Sequence, residues 1–279
     1  MNGKNIRGAT RAEILAAMRE VALEAAQVVM RVYETDFSVE YKGEDDPVTL
    51  ADRESNALIT SRLMREYGWP VVAEESNRES YKNFVGAEAV FFVDPVDGTR
   101  EFVSKIGEFT IMIGLAEHGE ATAGVILAPA KDREVWGSVF EGAFERRGSS
   151  AAKPLSLREA DDVSRARWLL SRTRSTPELE MLISMFPAAQ IERVGGSGYK
   201  AMLVACGEAE AYVHPGRAGH RWDACAPDAI LRSIGKRFTQ TDGTVFRYDT
   251  PDIANTKGVI AGTPAVHAAI VDAFLRGRP

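Results

Sequence analysis

Apolar positions recur at helical spacing almost from the start of the chain. Ile14, Leu15, Met18, Val21, Ala22, Ala25 and Val29 fall on one stripe, and Thr10-Arg11-Ala12-Glu13 ahead of them has capping-box spacing. The pattern predicts an amphipathic helix from residue 11 to about 33. The cap signature returns at Thr49-Leu50-Ala51-Asp52, before Leu58, Ile59, Leu63 and Met64, and Gly68 supplies a stop. Then the texture changes. Short apolar runs at residues 71–73, 89–93, 109–116, 123–128, 134–140 and 143–147, punctuated by Gly and Asp, predict strands joined as hairpins.

A polar stretch at 148–154 marks a subdomain boundary. Beyond it, strand patterns at 167–171, 209–214 and 258–261 alternate with helical ones at 177–185, 199–206, 224–233 and 264–275. That alternation predicts a second α/β layer behind an antiparallel-rich first half, an α/β or α+β layered architecture.

Composition narrows the function. A chain of 279 residues with 45% hydrophobic and 27% charged content is an ordinary globular protein. Its net charge of −6 argues against a nucleic-acid polymer as partner. A small phosphorylated ligand stays possible, because a bound cation inverts the local sign. No apolar run approaches the roughly 20 residues of a membrane helix. Met1-Asn2-Gly3-Lys4-Asn5 has no apolar signal core, so a cytoplasmic location is the expectation. Cys206 and Cys225 have no CxxC spacing and are expected to be reduced and half-buried on helices. His118, His214, His220 and His267 form no metal-ligand pattern.

Candidate chemistry begins at Asp94-Pro95-Val96-Asp97-Gly98-Thr99, directly after Val90-Phe91-Phe92-Val93. Two carboxylates and the Val96 carbonyl emerge where a buried strand is expected to end, with Pro95 stopping ladder pairing and Gly98 permitting a turn. Carboxylates with a carbonyl suit a hard cation such as Mg²⁺. The structural alternative is a surface turn in which Asp bonds its own backbone. Glu74-Glu75 follows the strand at 71–73, Asp46 precedes the second helix, and Asp223 sits where a helical run begins and could serve as its N-cap. Acids from separate element ends share one cleft only where cations offset their repulsion, and divalent ions are the simplest source.

Asp46-Pro47-Val48-Thr49-Leu50-Ala51-Asp52, Glu74-Glu75-Ser76, Asp94 to Thr99 and Trp222-Asp223-Ala224-Cys225-Ala226 resemble the ordered motif set of the inositol monophosphatase superfamily. The stretch Asp97 to Phe102, Gly107-Glu108-Phe109-Thr110, the turn Gly195 to Lys200 and His220-Arg221-Trp222-Asp223 resemble its 3′(2′),5′-bisphosphate nucleotidases. The resemblance spans roughly residues 10 to 262.

It implies a layered α-β-α-β-α sandwich of α+β class, with an antiparallel-rich metal-binding subdomain at 1–150 and a smaller α/β substrate-selecting subdomain at 151–279. It also implies a lithium-sensitive phosphomonoesterase with two or three Mg²⁺ held by Glu74, Asp94, the Val96 carbonyl, Asp97 and Asp223. Asp46 and Thr99 would orient the attacking water, with Glu74 serving mainly the metals. Gly98, Thr99, Thr173, Ser197, Lys200 and Asp223 would contact substrate, Lys200 holding the retained phosphate of adenosine 3′,5′-bisphosphate. That lysine reads equally well as a solvated residue at a helix start. Inositol monophosphatase, or a related sugar-phosphate or histidinol-phosphate phosphatase, is the rival activity, and the chain would act as a monomer or homodimer on a small phosphorylated metabolite.

Overall fold

The computed structural model describes residues 8–43, 46–160 and 162–277, with the backbone alone at 42, 43 and 46. Helix α1 (Arg11–Tyr33) opens on the anticipated capping box, the Glu13 carboxylate accepting from the Thr10 backbone N–H at 2.7 Å. A hairpin of β1 (Glu40–Gly43) and β2 (Asp46–Val48) follows, and it leads into α2 (Leu50–Tyr67). Charged residues and short strands hide that hairpin from a pattern search. Gly68 ends α2 in the left-handed region at φ 62°.

The larger sheet holds β3 (Val71–Ala73), β4 (Ala89–Asp97), β5 (Thr110–Glu117), β6 (Glu120–Ala128), β7 (Arg133–Ser138), β8 (Gly142–Arg147) and β9 (Lys153–Pro154) in chain order. Only the β3–β4 pairing is parallel in it. A short helix α3 (Thr99–Val103) leaves the end of β4. The second half of the chain adds β10 (Arg167–Ser171), α4 (Pro177–Met185), β11 (Gln190–Val194), α5 (Ser197–Ala205), β12 (Ala211–His214), α6 (Arg221–Ser233), β13 (Arg237–Thr239), β14 (Val259–Gly262) and α7 (Pro264–Arg276). Its five strands lie in the order β11-β10-β12-β14-β13, with β10 parallel to both neighbours.

Three cores separate five layers. One lies between α1, α2 and the first sheet face, built on Ile14, Met18, Ile59 and Phe91. The middle core joins the opposite face to α5, α6 and the small sheet through Phe92, Met202, Ile230 and Tyr212. The third lies under α4 and α7, around Trp168, Leu182 and Ile270. This is the α-β-α-β-α order expected, and the middle core draws on both halves of the chain.

Two glycines decide how closely α6 approaches. Gly114 and Gly124 are cross-strand partners on β5 and β6. A Cβ on Gly114 would stand 2.6 Å from the Ala226 nitrogen, and one on Gly124 would stand 2.5 Å from the Ala226 oxygen. The helix therefore rests on bare strand backbone.

Several elements differ from expectation. Strand β4 does not stop at Val93: it runs to Asp97, buried throughout, with a register irregularity between Asp94 and Asp97 where Pro95 has no N–H to give. The strand expected at 134–140 ends at Ser138. Asp223 is not an N-cap. His220 occupies that place and Asp223 lies three residues on, its carboxylate accepting from the His220 backbone N–H at 2.7 Å. Cys225 is fully buried rather than half-buried, while Cys206 is half-buried, and both are free thiols.

Candidate metal and phosphate site

The irregular end of β4 turns two carboxylates toward one place. Asp94 folds back on its own chain, Oδ1 accepting the Val96 N–H at 3.0 Å. Gly98 has φ 86°, and a Cβ there would stand 2.9 Å from the Glu108 carbonyl oxygen, so this turn requires glycine. Thr99 opens α3, and its hydroxyl donates to the Val96 carbonyl at 3.1 Å.

That hydroxyl also lies 3.3 Å from Asp52 Oδ1. Asp52 is buried at the start of α2, its other oxygen taking both the backbone N–H and the hydroxyl of Thr49 at 2.7 and 2.6 Å. Burial pushes the Asp52 carboxyl above its ordinary range, opposed by the Thr49 hydrogen bonds and assisted by the charge of Glu75. Sequence reading took Asp52 only as a capping acid and missed it as a neighbour of Thr99. Asp46 lies in β2 by its backbone, and its side chain falls outside the described residues.

The third carboxylate comes from the other half of the chain. Helix α5 has Gly196 at its N-cap and no side-chain cap of its own. Asp97 supplies that cap from 100 residues away, Oδ1 accepting the Ser197 N–H at 3.0 Å and Oδ2 the Gly198 N–H at 2.7 Å. The Ser197 hydroxyl reaches both Asp97 at 3.0 Å and Asp223 at 3.3 Å. A helix N-terminus stabilises negative charge, so α5 helps hold acids that repel one another.

Oxygen atoms of Asp94, Asp97 and Asp223 all lie within 4.8 Å of one another. Burial pushes the Asp94 carboxyl well up, followed by the charges of Glu74, Asp97, Asp223 and Asp52. Burial likewise raises Asp223, with Asp97 as the next cause. Such mutual repulsion among oxygen-only donors is what a hard divalent cation relieves, so the residues fit Mg²⁺. Glu74 stands outside this tight trio. It is half-buried, lines the same cavity as Asp97 and Asp223, and sends its charge to Asp94.

The cavity measures about 470 Å³ and is framed by both halves of the chain. Gly98, Thr99, Ser197 and Lys200 line it. Lys200 is no solvated lysine: it is buried, and its ammonium donates to the carbonyls of Gly196 and of Val194, the latter at 3.4 Å. Burial brings its pKa down to about 8. Thr173 does not line this cavity; it borders a neighbouring groove with Arg172, because the chain turns outward after β10. The cavity wall also carries Arg100, Arg174, Arg217, His214 and His220. Arg221, next in the chain after His220, turns away and donates to the Arg247 carbonyl at 2.8 Å.

The inositol monophosphatase family model matches residues 10–276. The chain belongs to the inositol monophosphatase family. Among family relatives, human 3′(2′),5′-bisphosphate nucleotidase 1 is 29% identical over 290 residues, covering 89% of this chain and 90% of its own. The crystal structure of CysQ from Bacteroides thetaiotaomicron, a bacterial member of the family, matches with a TM-score of 0.75 at 27% identity, over 90% of this chain and 97% of that one. The suhB protein of Bartonella henselae matches in fold, with a TM-score of 0.80 at 22% identity over 95% of this chain and 100% of its own. Family and relatives together support phosphatase activity. Among the described residues no helix is long and apolar enough to cross a membrane.

Proposed function

We propose that this protein is a Mg²⁺-dependent phosphomonoesterase. It removes the 3′-phosphate of adenosine 3′,5′-bisphosphate, or of a related 3′-phosphonucleotide, to give AMP and inorganic phosphate. The carrying observation is the clustered trio of buried Asp94, buried Asp97 and half-buried Asp223, the last two lining a cavity that also holds cationic side chains. Similarity to named bisphosphate nucleotidases over most of the chain supports the choice of substrate.

Asp94, Asp97, Asp223, Glu74 and the Val96 carbonyl would hold two or three Mg²⁺ ions. Bound there, the ions would neutralise phosphate charge and acidify water. The chain's own groups do the rest. The Thr99 hydroxyl orients the attacking water, and Asp46 accepts its proton, with Asp52 aligning Thr99 from behind. Backbone N–H groups at Gly98 and Thr99 face the phosphate. Residues 1–150 supply most of the metal-binding acids, while residues 151–279 supply Asp223 and select the substrate. We place the protein in the cytoplasm, as a monomer or homodimer acting on a small phosphorylated metabolite.

The test is phosphate release from adenosine 3′,5′-bisphosphate, adenosine 2′,5′-bisphosphate, inositol 1-phosphate and fructose 1,6-bisphosphate, with and without Mg²⁺. Highest kcat/KM on the first is expected. A clear preference for inositol 1-phosphate would move the assignment to an inositol monophosphatase.

A further inference from the structure

Asp223 is the acid of the trio that the second half of the chain contributes, and its place depends on the turn before α6. A Cβ on Gly219, at φ 67°, would collide with Asp223 Oδ2, so the carboxylate rests directly on that glycine. His220, the next residue, gives its backbone N–H to the same oxygen at 2.7 Å. Whatever fixes residues 218–220 therefore fixes Asp223.

The loop between β13 and β14 supplies that restraint. Residues 253–255 lie antiparallel beside 218–221. The Ala218 N–H donates to the Asn255 carbonyl at 2.9 Å, the Asn255 N–H to the Gly219 carbonyl at 2.9 Å, and the Arg221 N–H to the Ile253 carbonyl at 2.8 Å. So short a pairing is marginal on backbone bonds alone.

The Asn255 side chain completes it. Fully buried, it donates through Nδ2 to the Ala218 carbonyl at 3.1 Å and to the His220 carbonyl at 2.5 Å, while Oδ1 accepts from the Arg221 guanidinium. Carbonyls only accept and a guanidinium only donates, so one orientation of the amide satisfies all three partners. An aspartate here would turn an oxygen toward two carbonyls, and a leucine would leave every partner unmet.

Arg221 holds the other side of the amide. Only 8% of it is exposed, and its remaining bonds go to neutral oxygens, the Arg247 carbonyl at 2.8 Å and the Ala254 carbonyl at 3.3 Å. Burying a cation against neutral groups costs free energy. What the guanidinium contributes is geometry, since its planar fork ties three points of one loop to the start of α6. Neither Asn255 nor Arg221 lines the cavity, so their influence on the reaction passes through Asp223.

We infer that Asn255, oriented by Arg221, is the positioning residue for Asp223, keeping its carboxylate within the 4.8 Å cluster formed with Asp94 and Asp97. The inference rests on the metal-dependent phosphatase reading above.

The experiment titrates Mg²⁺ by calorimetry into the full chain without substrate, for wild type, Asn255→Ala, Arg221→Lys and Leu182→Ala. Leu182 is buried in the separate core under α4 and α7 and controls for lost stability alone. Asn255→Ala should weaken Mg²⁺ binding about 10- to 100-fold, the scale for losing an outer partner of a metal site. Arg221→Lys, which keeps the cation but not the fork, should weaken it less. Leu182→Ala should lower Tm and leave Mg²⁺ affinity unchanged. In turnover, the Asn255→Ala loss should fall on kcat at low Mg²⁺ and be restored by excess Mg²⁺, with KM nearly constant.

Wild-type Mg²⁺ affinity in folded Asn255→Ala overturns the inference, as does equal weakening in Leu182→Ala. If Asn255→Ala does not fold, Arg221→Lys decides, and wild-type affinity there overturns it too. Absence of Mg²⁺ binding by the wild type would instead sink the metal reading, and the positioning role with it.

Discussion

Asp97 caps a helix that begins 100 residues later, its two oxygens taking the backbone N–H groups of Ser197 and Gly198. A single carboxylate therefore joins the end of β4 to the start of α5 while belonging to the cluster that faces the cavity. Replacing Asp97 with Asn removes a charge from both tasks. Turnover should fall by more than the roughly 10- to 100-fold typical of losing an outer partner of a metal site. The Tm should fall too, because an amide NH₂ would meet an N–H donor of α5. Phosphate release with circular dichroism checks this, and unchanged turnover would remove Asp97 from the metal site.

The Thr99–Asp52 contact predicts a different signature. Thr99→Val and Asp52→Asn should each lower kcat by about 10²- to 10⁴-fold, the range for a positioned proton-transfer group, with KM nearly unchanged. The pair acts as a unit, so the double variant should lose little more than the worse single one. Fully multiplicative losses would show the two residues working independently.

Lys200 should matter for stability. Lys200→Met keeps much of the volume but orphans the Gly196 and Val194 carbonyls, at about 1–3 kcal/mol each. A urea titration should show the loss as a lower midpoint at unchanged slope.

Asp228 predicts the pH dependence of stability. It lies buried in α6, where the Tyr248 hydroxyl donates to it at 3.0 Å, and burial pushes its carboxyl up to about 7. In the unfolded chain it ionises near about 4. Between those values the folded protein keeps a proton that the unfolded chain has released, so stability falls as pH rises, then levels above about 7. Asp228→Asn should therefore raise Tm at pH 8, with about 2–4 °C expected per kcal/mol, and the gain should shrink toward pH 5. A difference independent of pH would contradict the buried neutral carboxyl.

Metal removal should silence the enzyme without unfolding it. A chelator should abolish phosphate release, and millimolar Li⁺ should inhibit. Excess Mg²⁺ should raise Tm above that of the chelated protein by relieving repulsion in the acid trio. Equal Tm in chelator and Mg²⁺ would argue against a resident cation.

Much of this was legible in the chain because it was local. Asp94 and Asp97 stood out because they follow the apolar run Val90 to Val93 and flank Pro95 and Gly98, Asp223 because it opens an apolar helical run, and the capping boxes at Thr10 and Thr49 placed the first two helices. What stayed hidden depends on distant pairing. Asp52 looks like a capping acid until Thr99, 47 residues on, comes to its free oxygen. Lys200 looks solvated until the α5 turn closes over it. Arg174 and Arg217 reach one cavity wall because β10 and β12 lie side by side, which no spacing in the sequence reveals. Thr173, next to Arg174, was expected at the substrate from the resemblance and instead borders another groove.

The contact of α6 with Gly114 and Gly124 has a consequence for evolution of the protein. The height of Asp223 above Asp94 is gauged by bare strand main chain against the α6 backbone and the Cys225 side chain, with no strand side chain in between. Substitutions that reshape the cores on either side can then accumulate without altering that gauge, so specificity can diversify around a reaction centre whose spacing stays constant.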